Sequence, residues 1–144
     1  YLDSKGIKYV EKTGNTADEV LSAANALAAA KVDAVFTPTD NTIMNSAAAV
    51  GEIFAEAGIP HYTGADSFVT AGCFATCGVN YTDLGTYTAD MALEILQGGA
   101  VPTFHVMDGG IITVNTETAA ALDLDYSAFN DLAGTVVEVE TTAE

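Results

Sequence analysis

Two short polar clusters hold the residue types that could do chemistry. The first is Thr37, Pro38, Thr39, Asp40, Asn41 and Thr42, and the second is Gly64, Ala65, Asp66 and Ser67. Together they offer two carboxylates, an amide and several hydroxyls. Such a set suits a small polar ligand, with carboxylates for a cationic group and hydroxyls or helix amides for an anionic one. Pro38 stiffens the chain just ahead of Asp40. Each of Asp40, Asn41, Asp66 and Ser67, taken alone, also fits the plainer role of capping a helix or turn. Two such clusters, each directly after a short apolar run, favour a binding site.

Catalysis finds less to work with. No Gly-x-Ser-x-Gly elbow, no Gly-Lys-Ser/Thr phosphate loop and no Gly-x-Gly-x-x-Gly turn occurs in the sequence. Paired carboxylates can serve as acid and base, but nothing sets Asp40 or Asp66 apart in that role. Cys73 and Cys77 are the only cysteines; four apart and with no nearby third or fourth ligand, they make a poor zinc site. A disulfide between them is unsupported, because residues i and i+4 of a strand lie too far apart to bridge. His61 and His105 read as packing or surface residues. No cofactor, metal or enzymatic activity is implied.

Charge excludes further classes. The 144 residues carry 4 Lys+Arg against 20 Asp+Glu, a formal net charge of −16. All the basic residues are lysines (Lys5, Lys8, Lys12 and Lys31), so nothing after residue 31 can neutralise a phosphate. Nucleic acids and anionic membranes are unsuitable partners. A 49% apolar content with 17% charged residues belongs to a folded domain with a core of ordinary size. No window is apolar enough for a membrane span, and no basic segment followed by an apolar run opens the chain.

The elements that must position the two clusters alternate between strand and helix. Residues 7–10 read as a first strand. Thr16 and Glu19 make a capping box opening a helix with Val20, Leu21, Ala24, Leu27 and Ala28 on its apolar face. Residues 33–37 form a buried strand. Ile43, Ala47, Val50, Phe54 and Ala57 then lie on one helical stripe, stopped by Gly58 and Pro60. Residues 61–64 are a strand, Leu84, Tyr87, Met91 and Ile95 mark another helix ending at Gly98 and Gly99, residues 103–107 and 111–115 are strands around a Gly109-Gly110 turn, and a short helix covers 116–122. This order predicts an α/β fold, a three-layer parallel sheet with helices on both faces, and places both clusters where strands end and helices begin. Residues 134–144, rich in Thr and Glu, read as a frayed acidic tail.

The residues also carry a family resemblance. Pro38-Thr39-Asp40-Asn41-Thr42, the loop from Gly64 to Ser67, and the run Ala71-Gly-Cys-Phe-Ala-Thr-Cys-Gly-Val-Asn-Tyr81 followed by Leu84-Gly85 and a helix resemble the C-terminal half of a type I periplasmic binding protein. More narrowly, they resemble the ABC-transporter substrate-binding family, over residues 1 to about 129. That resemblance implies that residues 1–133 are the C-terminal lobe of a two-lobed protein. The N-terminal lobe and the first βα unit would lie outside this chain. It implies a solute-binding component of an ABC importer that captures a small molecule, such as an aromatic or other amino acid, in an interlobe cleft. Permease and ATPase subunits would be its partners, and its place extracytoplasmic, periplasmic or as a lipoprotein. Asp40 and Asn41 match the strand-end acid and amide facing the cleft, Asp66 matches the acid of the next loop, and Thr39, Ser67 and Val79 flank them. A carboxylate there would suit a ligand ammonium. The ligand's own carboxylate would find no Arg, only helix amides near Asn41 and Thr42, hydroxyls such as Ser67, or the other lobe.

In that family the stripe of Leu84, Tyr87, Met91 and Ile95 would be covered by the other lobe. An open stripe and an unpaired sheet edge imply a homodimer or a swapped assembly of this chain. The effector-binding core of a transcription regulator shares the same fold and is the alternative reading. A flavodoxin-like enzyme acting through Asp40 and Asp66 ranks behind it.

Overall fold

The fold was analysed in a computed structural model that describes residues 1–107 and 109–142. Five strands, β1 (Val35–Thr37), β2 (His61–Thr63), β3 (Ala75–Gly78), β4 (Ile111–Asn115) and β5 (Thr135–Val139), form one sheet whose spatial order is their chain order. The pairs β1–β2, β2–β3 and β4–β5 are parallel, whereas β3–β4 is antiparallel. The α/β architecture is as expected, with this one pairing reversed. The reversal follows from where the chain goes after β3. Helix α5 (Tyr81–Leu96) carries the chain away from the sheet after Gly78, and β4 comes back to the same edge, so that Ile111 pairs with Gly78.

Alternate residues of each strand face opposite layers. On one face, Val35 packs with Val20 and Ala24 of α1 (Ala17–Ala29) and with Val50 and Phe54 of α3 (Ala47–Glu56). The short helices α2 (Asn41–Met44) and α4 (Asp66–Thr70) extend this layer, Ile43 and Met44 packing beside Ala47, Ala65, Phe68 and Cys73. On the other face, Ala75, Ile112 and Val114 meet Ala119 of α6 (Thr116–Ala121) and Phe129 of α7 (Phe129–Leu132). Phe54, Phe68 and Phe74 are the largest residues buried in these layers.

Local chemistry explains several boundaries. The Thr16 hydroxyl caps α1 by accepting from the Glu19 amide, while Glu19 reaches back to the Asn15 amide at 2.7 Å. The single stripe expected from Ile43 to Ala57 is interrupted: Asn45 and Ser46, weak helix formers, turn through a Ser46 amide to Ile43 carbonyl bond of 2.9 Å and split it into α2 and α3. α4 falls in the second polar cluster, which the sequence presented only as a loop.

Three expectations are corrected. Residues 7–10 form no strand; Ile7, Tyr9 and Val10 are exposed, with no neighbouring strand to satisfy their backbone. Residues 103–107 likewise form none, and Phe104 and Val106 are exposed for the same reason. The supposed frayed tail contains β5, paired with β4 over five residues and tied onward by the Thr142 amide to the Thr70 carbonyl at 2.9 Å. Its end, Ala143 and Glu144, lies outside the described residues, as does Asp108.

Candidate functional site

β1, β2 and β3 end side by side, and each passes directly into a helix, which is what the two polar clusters needed. Asp40 is the N-cap of α2: its Oδ1 accepts from the Thr42 amide at 2.8 Å and from the Ile43 amide at 3.1 Å. The carboxylate therefore occupies first-turn amides that the sequence left free for an anionic ligand group. Asn41 follows as the first residue of α2, exposed. Asp66 opens α4, its Oδ1 accepting from the Ser67 amide at 2.9 Å, and both residues are exposed. Val79 follows β3 and is half-buried.

The first two loops touch. A Cβ added at Gly64 would lie 2.8 Å from the Thr39 backbone nitrogen and collide with the Thr39 hydroxyl, so only glycine allows this approach. The third strand end adjoins the second, since a Cβ at Gly78 would meet the Gly64 carbonyl at 3.9 Å. Asp66 and Val79 line one cleft of about 380 Å³ that runs over the sheet face between α4 and the start of α5. Thr76 and Thr113 form part of its floor, and Asn80, Tyr81 and Thr82 part of its wall. Thr39, Asp40, Asn41 and Ser67 lie outside this lining. A broader depression of about 620 Å³ sits at the opposite end of the molecule, between the ends of α1 and α3 around Lys31 and Asp33, away from the clusters.

On the third loop the sequence singled out Val79 and missed its neighbour Asn80. Asn80 caps α5, its Oδ1 accepting from the Thr82 amide at 2.8 Å and the Asp83 amide at 3.1 Å. It stands to β3 as Asp40 stands to β1. Its signal was a capping residue directly before a helical stripe, with the aromatic Tyr81 beside it.

The site's electrostatics are one-signed. Asp40, Asp66 and Asp83 stand at these loops, and no Lys or Arg follows residue 31 in the sequence. Burial pushes the Cys73 thiol up to about 12, which leaves no thiolate there for nucleophilic chemistry. Both cysteines are free, Cys73 buried and Cys77 exposed. Among the described residues no group of three or more His, Cys, Asp or Glu could hold a metal.

Comparison with known proteins gives this arrangement a context. The Tyrosine-binding protein of Clostridioides difficile (strain R20291) is 33% identical over 126 residues, which are 86% of this chain and 36% of that protein. Among solved structures, a substrate binding protein with adhesive properties from Clostridium difficile, in its ligand-free, open form, is 32% identical with a TM-score of 0.75; the match covers 99% of this chain and 47% of that one. The ABC domain of Streptococcus pneumonia in complex with L-Trp is 26% identical with a TM-score of 0.80, covering 95% and 47%. A conserved domain protein from Vibrio cholerae is 28% identical with a TM-score of 0.78, covering 94% and 46%. The chain thus spans about half the length, or less, of these relatives. Residues 1–132 match the family described as ABC transporter substrate binding protein, a match over most of the chain and one that agrees with its sheet, its strand-end loops and its relatives. The chain belongs to that family.

Proposed function

We propose that this chain, through β5, is one lobe of a two-lobed solute-binding component of an ABC importer, and that its strand-end loops hold an amino acid with an aromatic side chain. The protein works outside the cytoplasmic membrane and hands its ligand to permease and ATPase subunits. The observation that carries this reading is the pairing of Asp40 and Asp66 on adjoining strand-end loops, with no Lys or Arg anywhere after residue 31. Carboxylates so placed attract a cationic group, and the α-ammonium of an amino acid is one. Val79 and Tyr81 beside Asp66 add the apolar surface that an aromatic side chain would cover. The relatives that bind tyrosine and L-Trp support the same ligand class.

Titration calorimetry of the full-length protein with L-tyrosine and L-tryptophan tests this. Binding of at least one is expected, together with loss of binding for its N-acetyl derivative, which has no ammonium. Equal affinity for the free and N-acetylated amino acids would overturn the assignment of the carboxylates.

A further inference from the structure

Beneath the two touching loops runs a row of threonines. Thr37, Thr63, Thr76 and Thr113 are register partners on four adjacent strands. Two of them bond within the backbone layer: Thr63 Oγ1 donates to the Ala65 carbonyl at 3.1 Å and Thr76 Oγ1 to the Thr63 carbonyl at 2.8 Å. Thr37 instead shares a hydrogen bond of 2.9 Å with Nε2 of His61 across the β1–β2 pair. The His61 ring is buried, 2% exposed, with the Phe54 ring edge-on at 5.1 Å, and its Nδ1 has no hydrogen-bond partner. An aliphatic residue would fill this space without an orphaned polar nitrogen. What the imidazole adds is the link to Thr37. Thr37 ends β1 two residues before Thr39, and His61 opens the three-residue β2 whose other end, Thr63, adjoins Gly64, so this link braces the origin of the first loop against the short strand that leads into the second.

We propose that His61 is a positioning residue for the ligand site: its neutral ring pins Thr37, holds the Asp40 loop against the Asp66 loop, and lets them part as the solution becomes acidic. The proposal rests on the reading of those loops as the ligand's seat.

The acid sensitivity follows from the surroundings of the ring. A protonated imidazole carries N–H on both nitrogens, and Nδ1 faces no acceptor. Thr37 shares its hydrogen bond with the ring and Phe54 lies edge-on against it; Val35 is the register partner of His61 on β1, and the Phe74 amide bonds the His61 backbone carbonyl at 2.9 Å. The carboxylates of the surrounding elements, Asp18 and Glu19 of α1, Asp33, Asp40 at the start of α2, Glu52 and Glu56 of α3 and Asp66 of α4, are all exposed. Burial alone lowers the ring from 6.5 to about 4. An opening that releases the ring to water restores its ordinary value, so the open state binds the proton first and gains as pH falls from about 6.5 toward 4. Between pH 7 and pH 5 such an opening becomes about 20-fold more populated.

Amide hydrogen exchange on this chain, corrected for intrinsic rates, reads the pin without any ligand. The Thr42, Ile43, Met44 and Phe68 amides are expected to open locally, at lower free energy than Val114 in the core, and yet to show the roughly 20-fold rise between pH 7 and pH 5. His61→Gln keeps a group that can reach Thr37 but does not titrate, and should flatten the response while keeping protection at pH 7. Thr37→Val should lose loop protection and its pH response, while Val114, whose opening still exposes the ring, keeps its own. Loop amides that stay flat between pH 7 and pH 5 in the wild type, or that open only together with Val114, would overturn the proposal; should His61→Gln fail to fold, Thr37→Val still decides. Loops that respond as expected in a protein whose full-length form binds neither L-tyrosine nor L-tryptophan would leave the pin standing and remove the ligand reading alone.

Discussion

Asp40 combines two roles that the sequence presented as alternatives. Its Oδ1 caps α2, which leaves the charge of the carboxylate to be tested apart from its hydrogen bonds. Asn is an equally good cap without the charge. Asp40→Asn should therefore leave stability unchanged, and Asp40→Ala should lower it by about 1 kcal/mol in urea denaturation. Both should weaken amino-acid binding by the full-length protein by roughly 2 to 5 kcal/mol in calorimetry, if the carboxylate meets a buried ligand ammonium. Asn115 shows what the sequence hides at this scale. Its role as a cap, accepting from the Thr118 amide, is written in its position before α6, but its burial is not. The same side chain donates to the Val69 carbonyl and to the Thr141 hydroxyl, both at 2.9 Å, and so joins α4, β4 and the segment after β5. Asn115→Ala leaves the Val69 carbonyl unpaired in a dry place and should cost about 2 to 4 kcal/mol, measured by urea denaturation.

Among the elements, the parts legible in the sequence were those whose signal is local. The stripe and cap of α1, the stop at Gly58 and the strand ends carrying Asp40 and Asp66 are fixed by residues within a turn or two of each other. Strands need a partner, and a partner is not local. Residues 7–10 and 103–107 have strand-like composition and no neighbour to pair with, so they stay irregular. Residues Thr135–Val139 alternate apolar and acidic at their end but read as tail, because their partner Ile111–Asn115 lies about twenty residues back in the chain. The candidate site was legible where a carboxylate cap follows a strand, and Asn80 escaped because its side chain is a neutral amide and the nearest carboxylate, Asp83, lies inside the helix it caps. Gly64 escaped because the collision that demands it comes from Thr39, on another loop. A chain ending at residue 133 makes β5 measurable: removing it uncovers Ile112 and leaves Asn115 without Thr141. Its melting temperature, followed by circular dichroism, should fall by on the order of 10 °C.

At the scale of the whole molecule, α5 stands out because it is the longest helix, 16 residues, and yet has no fully buried residue. Tyr87 is 38% exposed and stacks on His105 at 4.1 Å, Leu84 and Met91 are half-buried, and Leu93, Ile95 and Leu96 are exposed. Phe36 on the edge strand β1 is 68% exposed as well. A surface of this kind favours a second copy of the chain. The net charge of −16 opposes that copy, so sedimentation equilibrium should show a dimer that strengthens with added salt, as screening shortens the range of the repulsion. A monomer at every salt concentration would refute it. The coincidence of spatial and chain order in the sheet has a consequence for synthesis on the ribosome. Each strand, as it emerges, finds its partner already made and already at the growing margin, so no later strand has to wedge between two earlier ones. The sheet can zip forward from β1 while the remainder is still being translated, every closure spanning a single intervening connection. The margin at β1 is then the first to form, and no later strand of this chain covers it.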